Sequence, residues 1–184
     1  MNHFLGVFPD KETCLKISKT LAEAGKVFDN QAVPVNYVDR NSYHITLLFF
    51  GPKFNLIQRQ LLNLKLRYFK RKSFKISVRQ VRLGISRQNK ELVFMPVFDG
   101  AEELRELVYD LSKKLGYRRD RKFIPHITLG RVRKDLSEEE YRNLSHSLDE
   151  LNSSILKEIR FDVDAFHLVH SEKGSYRSLK KFSI

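Results

Sequence analysis

The sequence predicts a fold of mixed helices and strands arranged as two similar lobes, and three observations lead to this prediction. Short runs with apolar residues at every second position are separated by longer segments with a helical apolar period. The order strand–helix–strand–helix–strand occurs twice, with one more strand at the end. The tetrapeptide His-Ile-Thr-Leu occurs on the second strand of each copy, at residues 44–47 and 126–129. We therefore expect two sheets packed about a pseudo-twofold axis, with equivalent strands facing each other across a cleft.

The first copy begins with an apolar and aromatic strand at residues 3–8. Asp10 is of the residue type that caps helix N-termini, and Gly25 is of the type that often ends a helix. Between them the apolar residues recur at helical spacing and form one stripe: Cys14, Ile17, Leu21 and Ala24. A polar loop leads from this helix to the first His-Ile-Thr-Leu strand.

That strand covers residues 43–50 and is apolar on both faces, which is typical of a strand that is covered on both sides. Gly51-Pro52 ends it. The helix predicted over residues 55–70 has an apolar stripe formed by Ile57, Leu61 and Leu64. The last strand of the copy starts at residue 74 and continues to residue 85 after a change of phase at Gln80, which predicts a β-bulge.

The second copy begins with a strand at residues 91–98 and a helix that ends at Gly116. The apolar stripe of this helix consists of Leu104, Leu107, Val108, Leu111 and Leu115. A loop over residues 117–125 then leads into the second His-Ile-Thr-Leu strand. Ser137 and Glu140 have the spacing of a capping box, and the helix that they begin has its own stripe: Tyr141, Leu144, Leu148 and Leu151.

Two closing strands are predicted at residues 159–169 and 176–184, joined by a turn at Lys173-Gly174. No linker rich in proline, glycine or serine separates the two copies. We therefore expect one domain over residues 1–184, with lobes of about 1–88 and 89–184 that are able to exchange strands.

The composition favours a polyanionic partner. Lys and Arg number 34 against 22 Asp and Glu, a net charge of +12, and such an excess attracts nucleic acid above all. A solvated basic surface without a partner explains the charge equally well. The single Cys14 excludes an internal disulfide and fits a reducing cytoplasm. No apolar run approaches the ~20 residues of a membrane span, and the N-terminus does not resemble a signal peptide, so we expect a cytoplasmic protein without a membrane partner.

The His and Thr of each motif are two residues apart on a strand and therefore point to the same side. A single such pair is more often a buried histidine that is hydrogen-bonded inside a sheet, but two identical pairs on matching strands favour a shared site. One imidazole as base and the other as acid, on opposite walls, suit an in-line displacement at phosphorus. The hydroxyls of Thr46 and Thr128 are then able to donate to the phosphate oxygens. This geometry leaves open which of His44 and His126 is the acid.

Other chemistries have weaker support. Two histidines supply half of a zinc shell, but no Asp or Glu lies within three residues of His44 or His126. The sequence contains no Gly-x-Ser-x-Gly motif and no glycine-rich phosphate-binding motif. We therefore expect no metal and no cofactor. The remaining histidines have no Thr two residues later and are assigned to the core or the surface: His3, His146, His167 and His170.

The double motif and its flanking residues resemble the two-histidine (2H) phosphoesterase superfamily, and within it the RNA 2′,3′-cyclic phosphodiesterases, also called 2′-5′ RNA ligases. The resemblance covers nearly the whole chain and rests on YHITLLFFG, on FIPHITLGRV and, more weakly, on the closing SYRSLKKFSI. It implies an α+β fold of two lobes, each a mostly antiparallel sheet flanked by helices, around a central cleft. It also implies an enzyme that opens a terminal RNA 2′,3′-cyclic phosphate to a 2′-phosphomonoester without metal or cofactor.

By the same resemblance His44 is the proton donor and His126 the proton acceptor, while Thr46, Thr128 and Arg131 hold the phosphate. The expected partner is RNA with 2′,3′-cyclic phosphate or 2′-5′-linked ends, tRNA fragments among them, and the expected state is a monomer. The alternatives are a 2′-5′ RNA ligase or 2′-5′ phosphodiesterase activity, or an RNA-binding factor with little turnover.

Residues just before each motif are candidates for RNA contacts. Four cations are positioned to hold a phosphate backbone, although a solvated loop explains them equally well: Arg118, Arg119, Arg121 and Lys122. Phe123 and Tyr43 are candidates for stacking on a nucleobase. Because Tyr43 alternates with His44 and points to the opposite face, core packing is the preferred interpretation for Tyr43.

Overall fold

The computed structural model describes residues 2–86, 89–117, 123–154, 157–172 and 175–184. These residues form four α-helices and ten β-strands, and a 3₁₀ turn at Arg40–Ser42 precedes the first motif. In chain order the elements are β1 (Asn2–Val7), α1 (Lys11–Asn30), β2 (Val35–Tyr37), β3 (Ile45–Gly51), α2 (Leu56–Leu66), β4 (Phe74–Val78), β5 (Arg82–Leu83), β6 (Leu92–Pro96), α3 (Ala101–Leu115), β7 (His126–Val132), α4 (Glu138–Ser154), β8 (Ile159–Val163), β9 (Ala165–Glu172) and β10 (Ser175–Ser183).

The strands form two four-stranded sheets and one strand pair, and all pairings are antiparallel. One sheet has the order β10-β9-β1-β3, the other has the order β2-β7-β6-β5, and β4 pairs with β8. Each motif strand pairs with the first strand of its half, β3 with β1 and β7 with β6, but β3 is an edge strand whereas β7 lies between β2 and β6. The predicted α+β class with antiparallel sheets and flanking helices is confirmed.

Strands from both halves of the chain meet in each sheet. The late strands β9 and β10 extend the sheet of β1 and β3, while the early strand β2 pairs with β7. One continuous cluster of buried apolar side chains includes the Ile of both motifs, Ile45 and Ile127, neither of which is exposed to solvent. The inner faces of both motif strands are therefore fixed by a common core, and the opposite faces are left for the site.

Helix α1 does not end at Gly25, and this part of the prediction was wrong. The helix continues to Asn30 because its apolar stripe also continues, with Phe28 fully buried four residues after Ala24. Gly25 is itself buried inside the helix, close to the hydroxyl of Tyr37. At this position tertiary packing outweighs the poor helix propensity of glycine.

The predicted buried face of α2 was also wrong. Ile57, Leu61 and Leu64 are 70%, 51% and 66% exposed, whereas Leu62 and Leu66 are buried. The helix carries apolar residues on two faces, so the sequence period alone does not select the face that packs on the core.

Two predicted strands are each divided between two sheets. The segment interpreted as one bulged strand consists of β4, which pairs with β8, and β5, which pairs with β6. The segment at residues 159–169 likewise consists of two strands, since β8 ends before Asp164 and β9 begins after it. Alternation continues through both junctions, so the local pattern carries no information about the change of partner. The turn predicted at Lys173-Gly174 lies outside the described residues.

The helix ends in the second half follow the sequence signals. Gly116 ends α3 in the left-handed conformation, with φ of 69°. Ser137 and Glu140 form the predicted capping box, in which the Ser137 hydroxyl accepts from the Glu140 N–H at 3.1 Å and the Glu140 carboxylate accepts from the Ser137 N–H at 2.8 Å.

Candidate active site

The two motif histidines are held in the same way by the backbone. Nδ1 of His44 donates to the carbonyl oxygen of Ser42 at 2.7 Å, and Nδ1 of His126 donates to the carbonyl oxygen of Ile124 at 2.7 Å. Because a carbonyl only accepts, each ring keeps its proton on Nδ1, and Nε2 is the nitrogen left to exchange a proton with a ligand. The two copies thus present imidazoles of the same tautomer.

The strands of the two histidine motifs are neighbours. Although β3 and β7 belong to different sheets, they are in contact. His126 is also near enough to His44 for its charge to lower the pKa of His44, although burial has the larger effect.

Burial keeps both imidazoles neutral more readily than in water. For His44, loss of solvent contact lowers the pKa from its ordinary value of 6.5, the bond to Ser42 raises it, and the charge of His126 lowers it. For His126, loss of solvent contact lowers the pKa, the bond to Ile124 raises it, and the Arg131 guanidinium lowers it. Arg131 is thus near enough to the second imidazole to affect its charge.

Each motif strand has a β-bulge at the same position. In the first sheet Thr46 lies opposite Gly6 and Leu48 lies opposite Leu5, so Leu47 is the extra residue. In the second sheet Thr128 lies opposite Phe94 and Gly130 lies opposite Val93, so Leu129 is the extra residue. The Leu of each His-Ile-Thr-Leu copy is therefore the bulged residue. The side chains directly after the bulge point to the face opposite to the one that regular alternation predicts.

This reversal brings further side chains onto the faces that carry the two Thr residues. Arg131 lies opposite Leu92, which shares a face with Phe94 and therefore with Thr128. Phe49 lies opposite Phe4, which shares a face with Gly6 and therefore with Thr46. Phe49 is 52% exposed, unlike most aromatic residues of the sheets. Phe49 was not among the predicted site residues, although its spacing of five residues from His44 equals that of Arg131 from His126.

An aromatic cluster fixes the ring of His44. Phe4 stacks on it at 4.8 Å between ring centroids with an angle of 26°, and Phe8 stacks at 5.5 Å with an angle of 28°. Tyr176 of the C-terminal strand contacts the same ring at 4.8 Å. On the other wall, Phe94 meets His126 edge-on at 5.7 Å. These contacts desolvate the imidazoles and restrict their rotation.

Arg131 forms an ion pair with Glu91, and its side chain is 54% exposed. The guanidinium is therefore held at the edge of the cleft by a carboxylate and keeps donor groups free for an anion. Thr46 and Thr128 are half-buried on the faces that carry the histidines.

The structure leaves most of the predicted RNA contacts untested. Arg118, Arg119, Arg121 and Lys122 lie outside the described residues. Phe123 is half-buried and packs against the core cluster. Tyr43 is 2% exposed, which confirms the interpretation of core packing for Tyr43.

The described residues contain no group of three or more His, Cys, Asp or Glu side chains able to hold a metal ion. Among the helices of the described ranges, none is long and apolar enough to cross a membrane.

Comparisons with known proteins identify the family of this chain. The family model of the 2′-5′ RNA ligase superfamily matches residues 9–175. An RNA 2′,3′-cyclic phosphodiesterase of Archaeoglobus fulgidus is 31% identical over 140 residues, which cover 73% of this chain and 74% of the relative.

Solved structures show the same fold. The Thermus thermophilus protein TT0787 superposes with a TM-score of 0.67 at 23% identity, over 100% of this chain and 97% of that one. E. coli LigT in complex with 3′-AMP superposes with a TM-score of 0.70 at 16% identity, again over 100% and 97%. Since the family model matches most of the chain and the archaeal relative is similar over about three quarters of both proteins, this chain belongs to the 2′-5′ RNA ligase superfamily of 2H phosphoesterases and is an enzyme.

Proposed function

We propose that the enzyme opens the 2′,3′-cyclic phosphate at the end of an RNA to a 2′-phosphomonoester, without a metal ion, by acid–base catalysis with His44 and His126. The observation that carries the proposal is the matched presentation of the two imidazoles. Both have Nδ1–H bound to a backbone carbonyl, and they are near enough across one cleft for the charge of one to act on the other.

The reaction needs one proton removed and one supplied. Nε2 of neutral His126 takes a proton from a water molecule as its oxygen attacks phosphorus. The bond between phosphorus and the ribose 3′ oxygen breaks on the opposite side, and Nε2 of protonated His44 gives that oxygen its proton. The product keeps phosphate on the 2′ oxygen and a free 3′ hydroxyl. Proton exchange with solvent then returns His126 to the neutral state and His44 to the protonated state.

The surroundings of the rings support this assignment of roles. Arg131 lowers the pKa of His126 beyond the effect of burial, and a lowered pKa favours the neutral form that a base requires. The charge that lowers the pKa of His44 is the positive charge of His126 in its protonated form. When His126 is neutral this repulsion is absent, so protonation of His44 is easier. The arrangement with neutral His126 as the base and protonated His44 as the acid therefore has the least repulsion between Arg131 and the two imidazoles.

Neutral and cationic donors supply the anion site. The hydroxyls of Thr46 and Thr128 are on opposite walls and donate to the two non-bridging oxygens as negative charge develops there. Arg131 adds a charge-assisted contact from the second wall. Its ion pair with Glu91 holds the guanidinium at the cleft before the substrate arrives.

Two facts support RNA as the substrate. The archaeal relative is named for 2′,3′-cyclic phosphate ends of RNA. In addition, the net positive charge of this chain is concentrated in residues 40–90, which contain thirteen Lys and Arg and no Asp or Glu, whereas the rest contains 21 basic and 22 acidic residues. This segment includes the first motif strand, and its excess of positive charge attracts a polyanion such as RNA to this part of the chain.

The test is incubation of an RNA with a 2′,3′-cyclic phosphate end in the presence of EDTA, followed by identification of the product. We expect a 2′-phosphomonoester at the wild-type rate with and without EDTA. Loss of activity on chelation, or a 3′-phosphomonoester product, would contradict the proposal. A parallel reaction with 2′-5′-linked RNA measures the alternative activity, and tight binding without turnover would instead indicate an RNA-binding factor.

A further inference from the structure

His167 lies on the wall of the cleft, in register with the first motif. Thr46 lies opposite Gly6, Gly6 lies opposite His167, and His167 lies opposite Lys181. Residues directly opposite each other in neighbouring strands share a face of the sheet. This row therefore crosses all four strands of the first sheet on the face that carries Thr46.

The distances along the row follow from strand spacing. Neighbouring strands are about 4.8 Å apart, so the backbone of His167 is about 10 Å from that of Thr46, and Lys181 is about 14 Å away. A direct contact agrees with this placement, because the ring of Phe8 touches both His44 and His167, at centroid distances of 5.5 and 5.4 Å. His167 is thus separated from the catalytic imidazole by a single aromatic ring.

Three polar side chains meet at the outer end of the row. Nδ1 of His167 and the hydroxyl of Ser178 share a hydrogen bond of 2.9 Å. Burial lowers the pKa of His167, the charge of Lys181 lowers it further, and Asp164 has a weaker opposite effect. No carboxylate of the described residues is within ion-pair distance of Lys181. The end of the row therefore has an ammonium group with no ion-pair partner among the described residues, beside an imidazole and a hydroxyl, which is the chemistry of an anion site.

We propose that His167, Ser178 and Lys181 form a second phosphate subsite, which binds the 5′-phosphate of the nucleotide whose cyclic phosphate is held at Thr46. The inference rests on the proposed function and specifies its substrate. The next phosphate along an RNA from its cyclic end is the one on the 5′ oxygen of the terminal nucleotide. A nucleoside 2′,3′-cyclic phosphate lacks that group, so the subsite selects polynucleotide ends over cyclic mononucleotides.

The neighbouring Lys180 provides a matched control. Lys180 lies opposite Leu168, on the other face of the sheet, and its ammonium is 5.3 Å from the ring centroid of Phe182. The two lysines are adjacent in sequence, both are exposed, and only Lys181 belongs to the row. Replacement of each by Met removes one charge and keeps most of the side-chain length.

The experiment compares adenosine 2′,3′-cyclic phosphate with and without a 5′-phosphate. We expect the wild-type enzyme to have about tenfold higher kcat/KM for the 5′-phosphorylated substrate, the usual scale of one charge-assisted phosphate contact. Lys181→Met removes this preference by lowering kcat/KM for the 5′-phosphorylated substrate only, and Lys180→Met leaves both values unchanged. Equal wild-type values for the two substrates, or an equal loss on both in Lys181→Met, would overturn the inference.

A binding measurement separates the subsite from the proposed reaction. Adenosine 2′,5′-bisphosphate and adenosine 2′-monophosphate differ only in the 5′-phosphate, and calorimetry gives their affinities without turnover. We expect the bisphosphate to bind about tenfold more tightly to the wild-type enzyme and to Lys180→Met, but not to Lys181→Met. If neither cyclic substrate is hydrolysed, the proposed function fails, and this comparison alone decides whether the subsite exists. Equal affinities in the wild-type enzyme would refute it.

Discussion

Arg131 lies on the same face of its strand as Thr128, although the two are three residues apart. Regular alternation places residues at an odd spacing on opposite faces. The bulge at Leu129 adds one residue and restores the shared face. The phosphate contacts proposed for Thr128 and Arg131 therefore lie on one face, and the charge of Arg131 acts on His126.

Removal of this guanidinium is expected to weaken catalysis and to shift its pH dependence. Arg131→Gln loses a charge-assisted contact of about 1.5–3 kcal/mol, so kcat/KM falls about 10- to 100-fold. Because Arg131 lowers the pKa of His126, its removal raises that pKa towards 6.5. The base is then protonated up to a higher pH, and the acid limb of the kcat/KM profile moves to higher pH.

Glu91→Gln is the control, and we expect it to shift the acid limb of the kcat/KM profile in the opposite direction. It leaves the guanidinium without its carboxylate partner, so the full charge of Arg131 acts on His126 and the acid limb moves to lower pH. Shifts in the same direction for both variants, or none for either, would show that Arg131 does not act on the base.

Phe49 is expected to bind the nucleobase. It is exposed on the face that carries Thr46, at the position equivalent to Arg131. Stacking of one base on an aromatic ring contributes about 1–3 kcal/mol. Phe49→Ala should therefore raise KM about 5- to 100-fold with a smaller change in kcat, measured with a cyclic mononucleotide. An unchanged KM would show that the base lies elsewhere.

Gly6 is expected to be essential for the position of the His44 ring. A Cβ at this position would be 2.9 Å from a ring carbon of Phe4 and 3.2 Å from the carbonyl oxygen of Ile45. Phe4 is buried and stacks on His44, so the ring cannot move without displacing the imidazole. We expect Gly6→Ala to lower kcat more than it raises KM and to cost about 1–3 kcal/mol of unfolding free energy.

Gly25→Ala is the matched control, since a Cβ there meets only the Tyr37 hydroxyl at 3.4 Å. In the middle of α1 this change should stabilise the protein by about 0.5–1 kcal/mol and leave kcat unchanged. If Gly6→Ala gives the same result as this control, Phe4 does not position His44.

The capping box of α4 is expected to make stability depend on pH. The Lys134 ammonium and the Ser137 N–H lower the pKa of Glu140 from 4.5 to about 2. A lowered carboxyl pKa gives a stabilisation that is fully present above about 4.5 and is lost as pH falls towards about 2. The unfolding free energies of the wild-type protein and of Glu140→Gln, measured by urea denaturation, should therefore differ at neutral pH and converge on acidification.

Ser137→Ala removes the other half of the box and should cost about 1 kcal/mol at neutral pH. A difference between wild type and Glu140→Gln that does not change with pH would mean that the ionised carboxylate does not stabilise the helix end.

Several elements were predictable because their signals are local. The motif strands, the capping box at Ser137 and the glycine end of α3 each depend on a few consecutive residues. The junctions at Asp164 and after Val78 were not predictable, since alternation continues while the strand partner changes. The faces of α2 were not predictable either, because Leu61 and Leu62 are equally apolar and only one of them is buried.

The two bulges limited the prediction of the site. From alternation alone, Arg131 points away from His126, and it entered the site only through the family resemblance. Phe49 lies within YHITLLFFG, one of the segments on which the resemblance rests, but no role was assigned to it. His167 has no Thr partner in the sequence, and only the register across β1, β9 and β10 places it beside the first motif.

The proposed reaction depends on joint action of the two imidazoles on one phosphorus atom, and a double-mutant comparison tests this most directly. Single-turnover hydrolysis of a 2′,3′-cyclic-phosphate RNA would be measured with EDTA for His44→Ala, His126→Ala and the double variant, with melting curves to check folding. We expect each single variant to be about 10²- to 10⁴-fold slower and the double variant to be little slower than the worse single one, since an acid and a base that serve one step fail together. A folded single variant with the wild-type rate, or losses that multiply in the double variant, would contradict it.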